Sequence, residues 1–192
     1  MPLLLSRRQI PNVITAMRVL LVIPIAVGLY CEEYRNALFL FFVAGVSDAL
    51  DGFLARRFNW RSRFGAIADP LADKLLLVTA FLFLTLNGQI FLWLMVLVFL
   101  RDLVIVAGAL AYHYLRGAYD MNPTWLGKMS TLVQIAFVLM IMLHQAGVSM
   151  PVPALIWGPW LVALITAASG IHYVILWGRK FLADSAAERL DS

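Results

Sequence analysis

The 192-residue sequence contains little charge and almost no cysteine. Cys31 is its single cysteine, which excludes a disulfide scaffold. Its 8 prolines and 12 glycines are too few for a collagen-like or a low-complexity chain. Only 14% of its residues are charged, against about 25% in soluble domains. Apolar residues make up 62%, against roughly 45–50% in soluble domains, and the mean hydropathy is +0.86. One globule of this length cannot bury so much apolar surface, so the sequence predicts a membrane protein.

The apolar residues are grouped into six stretches, each close to the roughly 20 residues with which a helix crosses a bilayer. These stretches are residues 13–30, 36–56, 70–86, 91–115, 125–146 and 153–177. They show no alternation of period two, and a barrel would need many shorter segments, so the spans are expected to be helices. The sequence therefore predicts an all-α integral membrane protein with six transmembrane helices, in which residues 1–192 form a single domain. Residues 1–12 are predicted as an interfacial helix and residues 178–192 as a cytoplasmic tail.

The basic residues between the stretches predict the orientation of the chain. With the N-terminus in the cytoplasm, only Arg35 falls outside, and ten basic residues fall inside: Arg7, Arg8, Arg56, Arg57, Arg61, Arg63, Arg116, Arg179, Lys180 and Arg189. The positive-inside rule then predicts that both termini are cytoplasmic. A net charge of +4 can also indicate nucleic-acid binding, but bases confined to short loops are better explained by membrane topology, and no nucleic-acid partner is expected. The predicted location is a bacterial inner membrane, with the basic loops facing the cytoplasm.

Four aspartates lie within or at the end of the second and third stretches, and a charge at a helix centre costs about 2.5–3.5 kcal/mol. Asp48 and Asp51 are three residues apart, and Asp69 and Asp73 are four apart, so each pair shares one face of a helix. Asp69 is expected to cap the third helix, with Pro70 as its first helical residue. Because a short cytoplasmic loop joins the two helices, the four carboxylates are expected to lie together at one depth.

Four carboxylates in a poorly hydrated site need a cation to neutralise them. Oxygen ligands favour Mg²⁺, Mn²⁺ or Ca²⁺ over zinc, and paired ions are typical where phosphoryl oxygens are held. The arginines next to the aspartates could form a phosphate-binding rim: Arg56, Arg61 and Arg63. The small residues could admit either a ligand or a neighbouring helix: Gly52, Ala55 and Gly65.

The spacing Asp48-x2-Asp51-Gly52-x2-Ala55-Arg56-x8-Gly65-x3-Asp69-x3-Asp73 resembles the signature of the CDP-alcohol phosphotransferases at all eight defined positions. The resemblance implies a membrane enzyme, usually a homodimer, that moves a phosphatidyl group from a CDP-linked lipid such as CDP-diacylglycerol to an alcohol and releases CMP. It implies Mg²⁺ or Mn²⁺, as two ions, with Asp48, Asp51 and Asp69 as ligands and Asp73 as a ligand or the general base. It also implies four contacts to the nucleotide and pyrophosphate: Gly52, Ala55, Arg56 and Gly65.

The acceptor alcohol is predicted from weaker resemblances. Residues 101–105, 123–134, 166–169 and 178–180 resemble the CMP-forming cardiolipin synthases, which use phosphatidylglycerol. Gly127-Lys128 also resembles the phosphatidylglycerophosphate synthases, which use glycerol 3-phosphate, so this acceptor is the alternative. Both acceptors carry a phosphate, and four cations are candidate substrate contacts: Arg18, Arg61, Arg101 and Lys128. For the three in the spans, Arg18, Arg101 and Lys128, the alternative is pairing with a helical carboxylate.

A divalent-cation transporter is a candidate from another functional class, since acidic residues inside a membrane also mark ion pathways. The sequence lacks the inverted repeats and the paired broken helices that are typical of transporters. An enzyme is therefore the favoured interpretation.

Overall fold

The structure, a computed structural model, describes the main chain of residues 10–58, 63–116 and 124–190. It describes the side chains of the same ranges except at residues 10–16, 49, 51–56, 58, 63–70, 113, 115–116 and 180–190. These ranges form six helices and contain no strand: α1 (Ile10–Tyr30), α2 (Tyr34–Phe58), α3 (Arg63–Leu86), α4 (Leu92–Arg116), α5 (Trp125–Gln145) and α6 (Val152–Leu190). The predicted all-α class is confirmed for these residues, and most of the predicted interfacial segment, residues 1–9, lies outside them.

Three helical segments of the described chain are long and apolar enough to cross a membrane: Leu92–Tyr112, Trp125–Gln145 and Val152–Arg179. A shorter apolar segment, Met17–Tyr30, lies in α1. These segments support the prediction of a membrane protein. Six transmembrane helices and a cytoplasmic location of both termini remain predictions.

The third helix begins earlier than predicted. It starts at Arg63, six residues before Asp69, so the prediction that Asp69 caps this helix and that Pro70 is its first residue is wrong. The residues between them include Ala66, Ile67 and Ala68, which are compatible with a helix, and the helix continues through Pro70 although proline cannot donate a main-chain hydrogen bond. Asp69 and Asp73 are therefore both inside one continuous helix.

The last helix ends later than predicted. It runs for 39 residues to Leu190 and so includes most of the segment 178–192 that was predicted as a tail. At 1.5 Å per residue it is roughly 58 Å long, well beyond the roughly 30 Å of a hydrocarbon core. The apolar run ends at Trp177, but residues 183–190 are rich in alanine and other good helix formers, so the helix outlasts the apolar run.

The chain forms two compact units, of which unit 1 consists of Met1–Ile90 and Val138–Met150. In unit 1, α1 packs against both α2 and α3. The approach of α1 to α2 is close at Gly28, where an added Cβ would lie 3.4 Å from Ala37 Cβ. Asn87 Nδ2 at the end of α3 donates to Leu29 O at 2.6 Å and to Tyr34 Oη at 3.2 Å. These contacts hold α2 and α3 against the same helix.

Unit 2 consists of Phe91–Phe137 and Pro151–Ser192, and in it α4 packs against α6. This packing is close at Gly108, where an added Cβ would lie 3.2 Å from the Trp177 ring. The unit buries an unusual set of polar side chains: Arg101, Asp102, Ser130, Gln134, Thr166 and Ser169. The single domain predicted for residues 1–192 remains a prediction.

Candidate functional site

Arg18 of α1 links the two acidic helices of unit 1. Its Nη2 lies 2.8 Å from Asp48 Oδ1 on α2, and its Nη1 lies 3.1 Å from Asp73 Oδ1 on α3. The Arg18 side chain is fully buried, and arginine is almost never buried unless it is paired. Pairing with helical carboxylates, the alternative left open for Arg18, is therefore observed. It brings one carboxylate of each aspartate pair to a single guanidinium.

The two carboxylates are more accessible than the arginine between them. The side chain of Asp48 is 38% exposed and that of Asp73 is 49% exposed. The planar guanidinium holds both groups in defined orientations, because its donors are fixed relative to one another. Oriented and partly exposed carboxylates can bind a hard cation or accept a proton from a hydroxyl group.

Asp51 lies in α2 and Asp69 in α3, but the side chains of both are outside the described residues. In a helix, positions three or four apart share a face, so Asp51 is expected beside Asp48 and Asp69 beside Asp73. The four-carboxylate cluster remains a prediction.

The other motif residues are described only in their main chain or not at all. Gly52, Ala55 and Arg56 belong to the C-terminal part of α2, and Gly65 is the third residue of α3. Arg61 lies in residues 59–62, outside the described chain. The roles predicted for these residues in binding the nucleotide and pyrophosphate remain predictions.

Among the described side chains, no three His, Cys, Asp or Glu residues are placed to hold a metal ion. The side chains of Asp48 and Asp73 are among those described, whereas the side chains of Asp51 and Asp69 are not. The two described carboxylates fit the predicted centre in donor type, since oxygen ligands suit Mg²⁺ and Mn²⁺. They also come from two different helices, as a shared centre requires. Metal binding remains a prediction.

A second buried arginine, Arg101 of α4, lies at the centre of a polar cluster in unit 2. Its Nη1 donates to Asp102 Oδ1 at 2.9 Å. Its Nη2 and Nε both donate to Ser169 Oγ, at 2.8 and 3.3 Å, and Nη2 also donates to Gly127 O at 3.4 Å. Its Cζ is 5.8 Å from the centre of the Tyr173 ring, within the range of a cation–π contact. The ion pair considered for Arg101 is therefore observed, and contacts with α5 and α6 fix its guanidinium.

Arg101 also lines a cavity of 500 Å³ in unit 2, together with the exposed Lys128. The remaining lining residues are Ile105, Gly127, Thr131, Leu132, Ile135 and Tyr173. The volume is within the range of about 300–1,000 Å³ that is typical of ligand pockets. Two of the cations predicted to bind the acceptor therefore line one cavity, which we call the cationic cavity. Their contact with a substrate remains a prediction.

Tyr173, which was not predicted from the sequence, lines this cavity and packs against Arg101. The Tyr173 hydroxyl accepts a hydrogen bond from Thr124 N at 3.2 Å. The sequence pattern could have pointed to Tyr173, because Thr166, Ser169 and Tyr173 are polar residues that recur at helical spacing on an otherwise apolar helix.

A buried network of uncharged polar groups extends between α5 and α6 in the same unit. Gln134 Nε2 donates to Ser130 Oγ at 3.2 Å and to Thr166 Oγ1 at 3.0 Å. All three side chains are fully buried. Hydrogen bonds between helices offset the cost of placing polar groups in an apolar interior.

A family model described as CDP-alcohol phosphatidyltransferase matches residues 8–177. A probable cardiolipin synthase (CMP-forming) of Drosophila melanogaster is 30% identical over 192 residues, which cover 86% of this chain and 56% of that protein. A CDP-diacylglycerol–glycerol-3-phosphate 3-phosphatidyltransferase of Blochmanniella floridana is 28% identical over 175 residues, which cover 86% of this chain and 89% of that protein. A probable phosphatidylglycerophosphate synthase of Mycobacterium tuberculosis is 30% identical over 178 residues, which cover 86% of this chain and 80% of that protein.

The chain thus spans about half the length of the Drosophila relative and most of the other two. The match to the family model includes both acidic helices and the cationic cavity. It confirms the resemblance carried by the eight motif positions. The chain belongs to the CDP-alcohol phosphatidyltransferase family.

Proposed function

We propose that this chain transfers a phosphatidyl group from CDP-diacylglycerol to phosphatidylglycerol, which yields cardiolipin and CMP. The observation that carries the proposal is the pairing of both Asp48 and Asp73 with Arg18. It joins the two helices of the motif in a chain whose match to the family model spans residues 8–177.

In this reaction the acceptor hydroxyl attacks the phosphorus of the phosphatidyl group, and the bond from that phosphorus to the CMP oxygen breaks. Asp73 accepts the hydroxyl proton as the new bond forms. Its 49% exposure supports this role, because the acceptor must reach the carboxylate. Arg18 holds Asp48 and Asp73 in place, and the resulting geometry favours attack by limiting the motion of the reacting groups.

Asp48, Asp51, Asp69 and Asp73 would hold Mg²⁺ or Mn²⁺, as two ions. When bound, these ions supply positive charge to the pyrophosphate oxygens and to the departing CMP. Arg56 and the small residues of the motif contact the nucleotide and pyrophosphate: Gly52, Ala55 and Gly65. Arg61 is a further contact to the substrate.

Glycerol 3-phosphate is the alternative acceptor, because the relatives bear names of both reactions. The phosphate of either acceptor can bind to Arg101 and Lys128. Phosphatidylglycerol is favoured by the resemblance of several segments to cardiolipin synthases. The apolar residues that line the cationic cavity beside these two cations also favour a lipid: Ile105, Leu132 and Ile135.

The site of this reaction is proposed to face the cytoplasm at a bacterial inner membrane. The nucleotide product is water-soluble and the lipid substrates are not, so a site at the membrane interface serves both. The enzyme is proposed to act as a homodimer, as family members usually do.

An acceptor screen tests the proposed reaction. The purified protein is given CDP-diacylglycerol and Mg²⁺ with phosphatidylglycerol, glycerol 3-phosphate, inositol phosphate or serine, and CMP and the lipid product are measured by mass spectrometry. Cardiolipin from phosphatidylglycerol is expected. Phosphatidylglycerophosphate as the main product would transfer the assignment to the alternative, and no CMP with any acceptor would overturn the proposal.

Substitutions test the roles of the aspartates. Asp48→Ala, Asp51→Ala and Asp69→Ala should abolish CMP release, and Asp73→Asn should lower its rate by about 10²-fold or more, the usual contribution of a general base. Glu33→Ala is a matched control, because Glu33 is an exposed acid in the turn between α1 and α2. A near-normal rate in Asp73→Asn would remove the general-base role.

A further inference from the structure

An apolar groove of 340 Å³ runs between α4 and α6 of unit 2. Among the residues that line it are Leu97, Leu100 and Val104 of α4 and Ala167, Ile171 and Val174 of α6. It extends from Leu97 to Val104 on α4 and from Thr166 to Ile175 on α6, or roughly 10–14 Å at 1.5 Å of rise per residue. We call it the α4–α6 groove.

The α4–α6 groove has the direction and character of a site for a lipid tail. Both helices contain segments long enough to cross a membrane, so the groove runs along the direction of acyl chains. Leu100 and Ile171, which line it, are 55% and 61% exposed. Small residues keep it open between these larger ones, since Gly170 has no side chain and an added Cβ would lie 3.5 Å from Arg101 Cγ.

Arg101 joins the α4–α6 groove to the cationic cavity, because it lines both. The cavity adds Lys128, so two cations lie beside an apolar channel. An anionic phosphate on a long hydrocarbon tail matches this combination, since the phosphate can bind to the cations and the tail can lie in the groove. A soluble phosphate ester has no group that would fill the groove.

We propose that the α4–α6 groove binds an acyl chain of the acceptor, an anionic phospholipid whose headgroup occupies the cationic cavity. The identification of this lipid as the acceptor rests on the proposed function. It is assigned to the acceptor rather than to the donor because the groove shares Arg101 with the predicted acceptor cavity, whereas the motif expected to hold the donor lies on α2 and α3.

Crosslinking tests lipid binding without turnover. The purified full chain is incubated with phosphatidylglycerol that carries a photoactivatable diazirine in its acyl chain, in the absence of CDP-diacylglycerol, and the adducts are mapped by mass spectrometry. Adducts are expected in residues 97–104 and 166–175, and dioleoyl phosphatidylglycerol should compete while phosphatidylcholine should not. Adducts spread evenly over α4 to α6, equal competition by phosphatidylcholine, or a crosslink between two copies at the groove would overturn the proposal.

A pair of adjacent alanines tests the consequence for the reaction. Ala167→Phe fills the groove, whereas Ala168→Phe adds the same ring at an exposed neighbour that does not line it. Ala167→Phe should raise the KM for long-chain phosphatidylglycerol by about tenfold or more, because each buried methylene contributes a factor of about four in affinity. The KM values for CDP-diacylglycerol and for dihexanoyl phosphatidylglycerol should not change, and Ala168→Phe should resemble the wild type.

Ile171→Ala provides a second variant that removes bulk and so introduces no clash. It should raise the long-chain KM by a smaller factor and weaken the acyl-chain crosslink. Equal KM values in all variants, or the same rise in Ala168→Phe, would overturn the groove assignment. If no protein released CMP, the proposed function would fail, and the crosslinking pattern would still decide whether the groove binds lipid.

Discussion

Two buried arginines in apolar helices are stabilised in different ways. Arg18 contacts carboxylates of two other helices, Asp48 and Asp73, whose side chains are more than a third exposed. Arg101 contacts the adjacent Asp102, whose side chain is 12% exposed, and the hydroxyl of Ser169. A buried charge is tolerated only when it is paired and hydrogen-bonded. The first arrangement suits the proposed site, which a soluble nucleotide would have to reach, and the second suits a fixed cation beside a cavity.

The need for a partner at each arginine could be predicted from the sequence, but the partner could not. Arg18 and Asp73 are 55 positions apart, and Arg101 and Ser169 are 68 apart. Such pairs depend on how α1, α3, α4 and α6 are packed, which the apolar pattern of a single helix does not specify.

The substitution Ser169→Ala is predicted to impair acceptor binding. It removes both hydrogen bonds from Arg101 to the Ser169 hydroxyl and lets the guanidinium move from the cationic cavity. The KM for the acceptor should rise about tenfold or more, since a hydrogen bond to a charged group contributes about 1.5–3 kcal/mol. The KM for CDP-diacylglycerol and the kcat should change little, and steady-state kinetics measures all three.

Ser130→Ala is the matched control, because Ser130 is also a buried serine of unit 2 but contacts Gln134. If both variants changed the acceptor KM equally, or if Ser169→Ala lowered only the kcat, Ser169 would not be a positioning residue for Arg101.

The bounds of a helix could be predicted from the sequence where the helix begins and ends with its apolar run. The bounds of α1, α2, α4 and α5 lie within a few residues of the predicted stretches. The start of α3 at Arg63 and the end of α6 at Leu190 differ from them because each helix continues past the charged residues that bound its apolar run, Asp69 in α3 and Arg179 and Lys180 in α6. Burial in lipid sets the length of an apolar run, whereas helix propensity sets where the helix stops. The length of an apolar run therefore does not predict where its helix ends.

Gly127, at the start of α5, packs closely against Tyr173 of α6, and this contact gives a prediction for stability. An added Cβ at Gly127 would lie 2.9 Å from Tyr173 Oη and 3.2 Å from Thr124 Oγ1. Gly127→Ala should therefore destabilise unit 2 by about 1–3 kcal/mol, as overpacking usually does, and lower the Tm measured by tryptophan fluorescence in detergent.

Gly178→Ala is the matched control on α6, since no atom of the described residues lies within 4 Å of an added Cβ there. It should leave the Tm unchanged or raise it, because alanine favours a helix over glycine by about 1 kcal/mol. Tyr173→Phe should partly restore the Tm of Gly127→Ala by removing the clashing hydroxyl. Equal Tm values for Gly127→Ala and the wild type would show that the helices are not closely packed at this point.

For the whole molecule, the sequence predicted the class of fold and the family but only part of the site. Eight residues of fixed spacing were enough to identify the family, which the match of the family model to residues 8–177 confirms. Tyr173 and the α4–α6 groove were not predicted, since they depend on which helices pack side by side. The choice of acceptor also depends on the shape of a cavity more than on a motif.

The orientation of the chain can be tested with its own cysteine. Cys31 is exposed and lies in the turn between α1 and α2, which the positive-inside rule places outside. A membrane-impermeant maleimide should label it in spheroplasts of an expression host without permeabilisation. In Cys31→Ser combined with Gly178→Cys, the new thiol near the end of the last span should be labelled only after permeabilisation. The reverse pattern would invert the topology and place the aspartates on the other side.

Mn²⁺ binding, measured by electron paramagnetic resonance, tests most directly whether α2 and α3 present their aspartates to a shared divalent cation. The purified chain, titrated in the presence of CDP-diacylglycerol, should bind two Mn²⁺ ions. Asp48→Asn and Asp73→Asn should each weaken binding by about tenfold or more, since even outer-shell partners of metal ligands contribute that much. Glu33→Gln should bind as the wild type does. Wild-type Mn²⁺ binding in both aspartate variants would contradict the account.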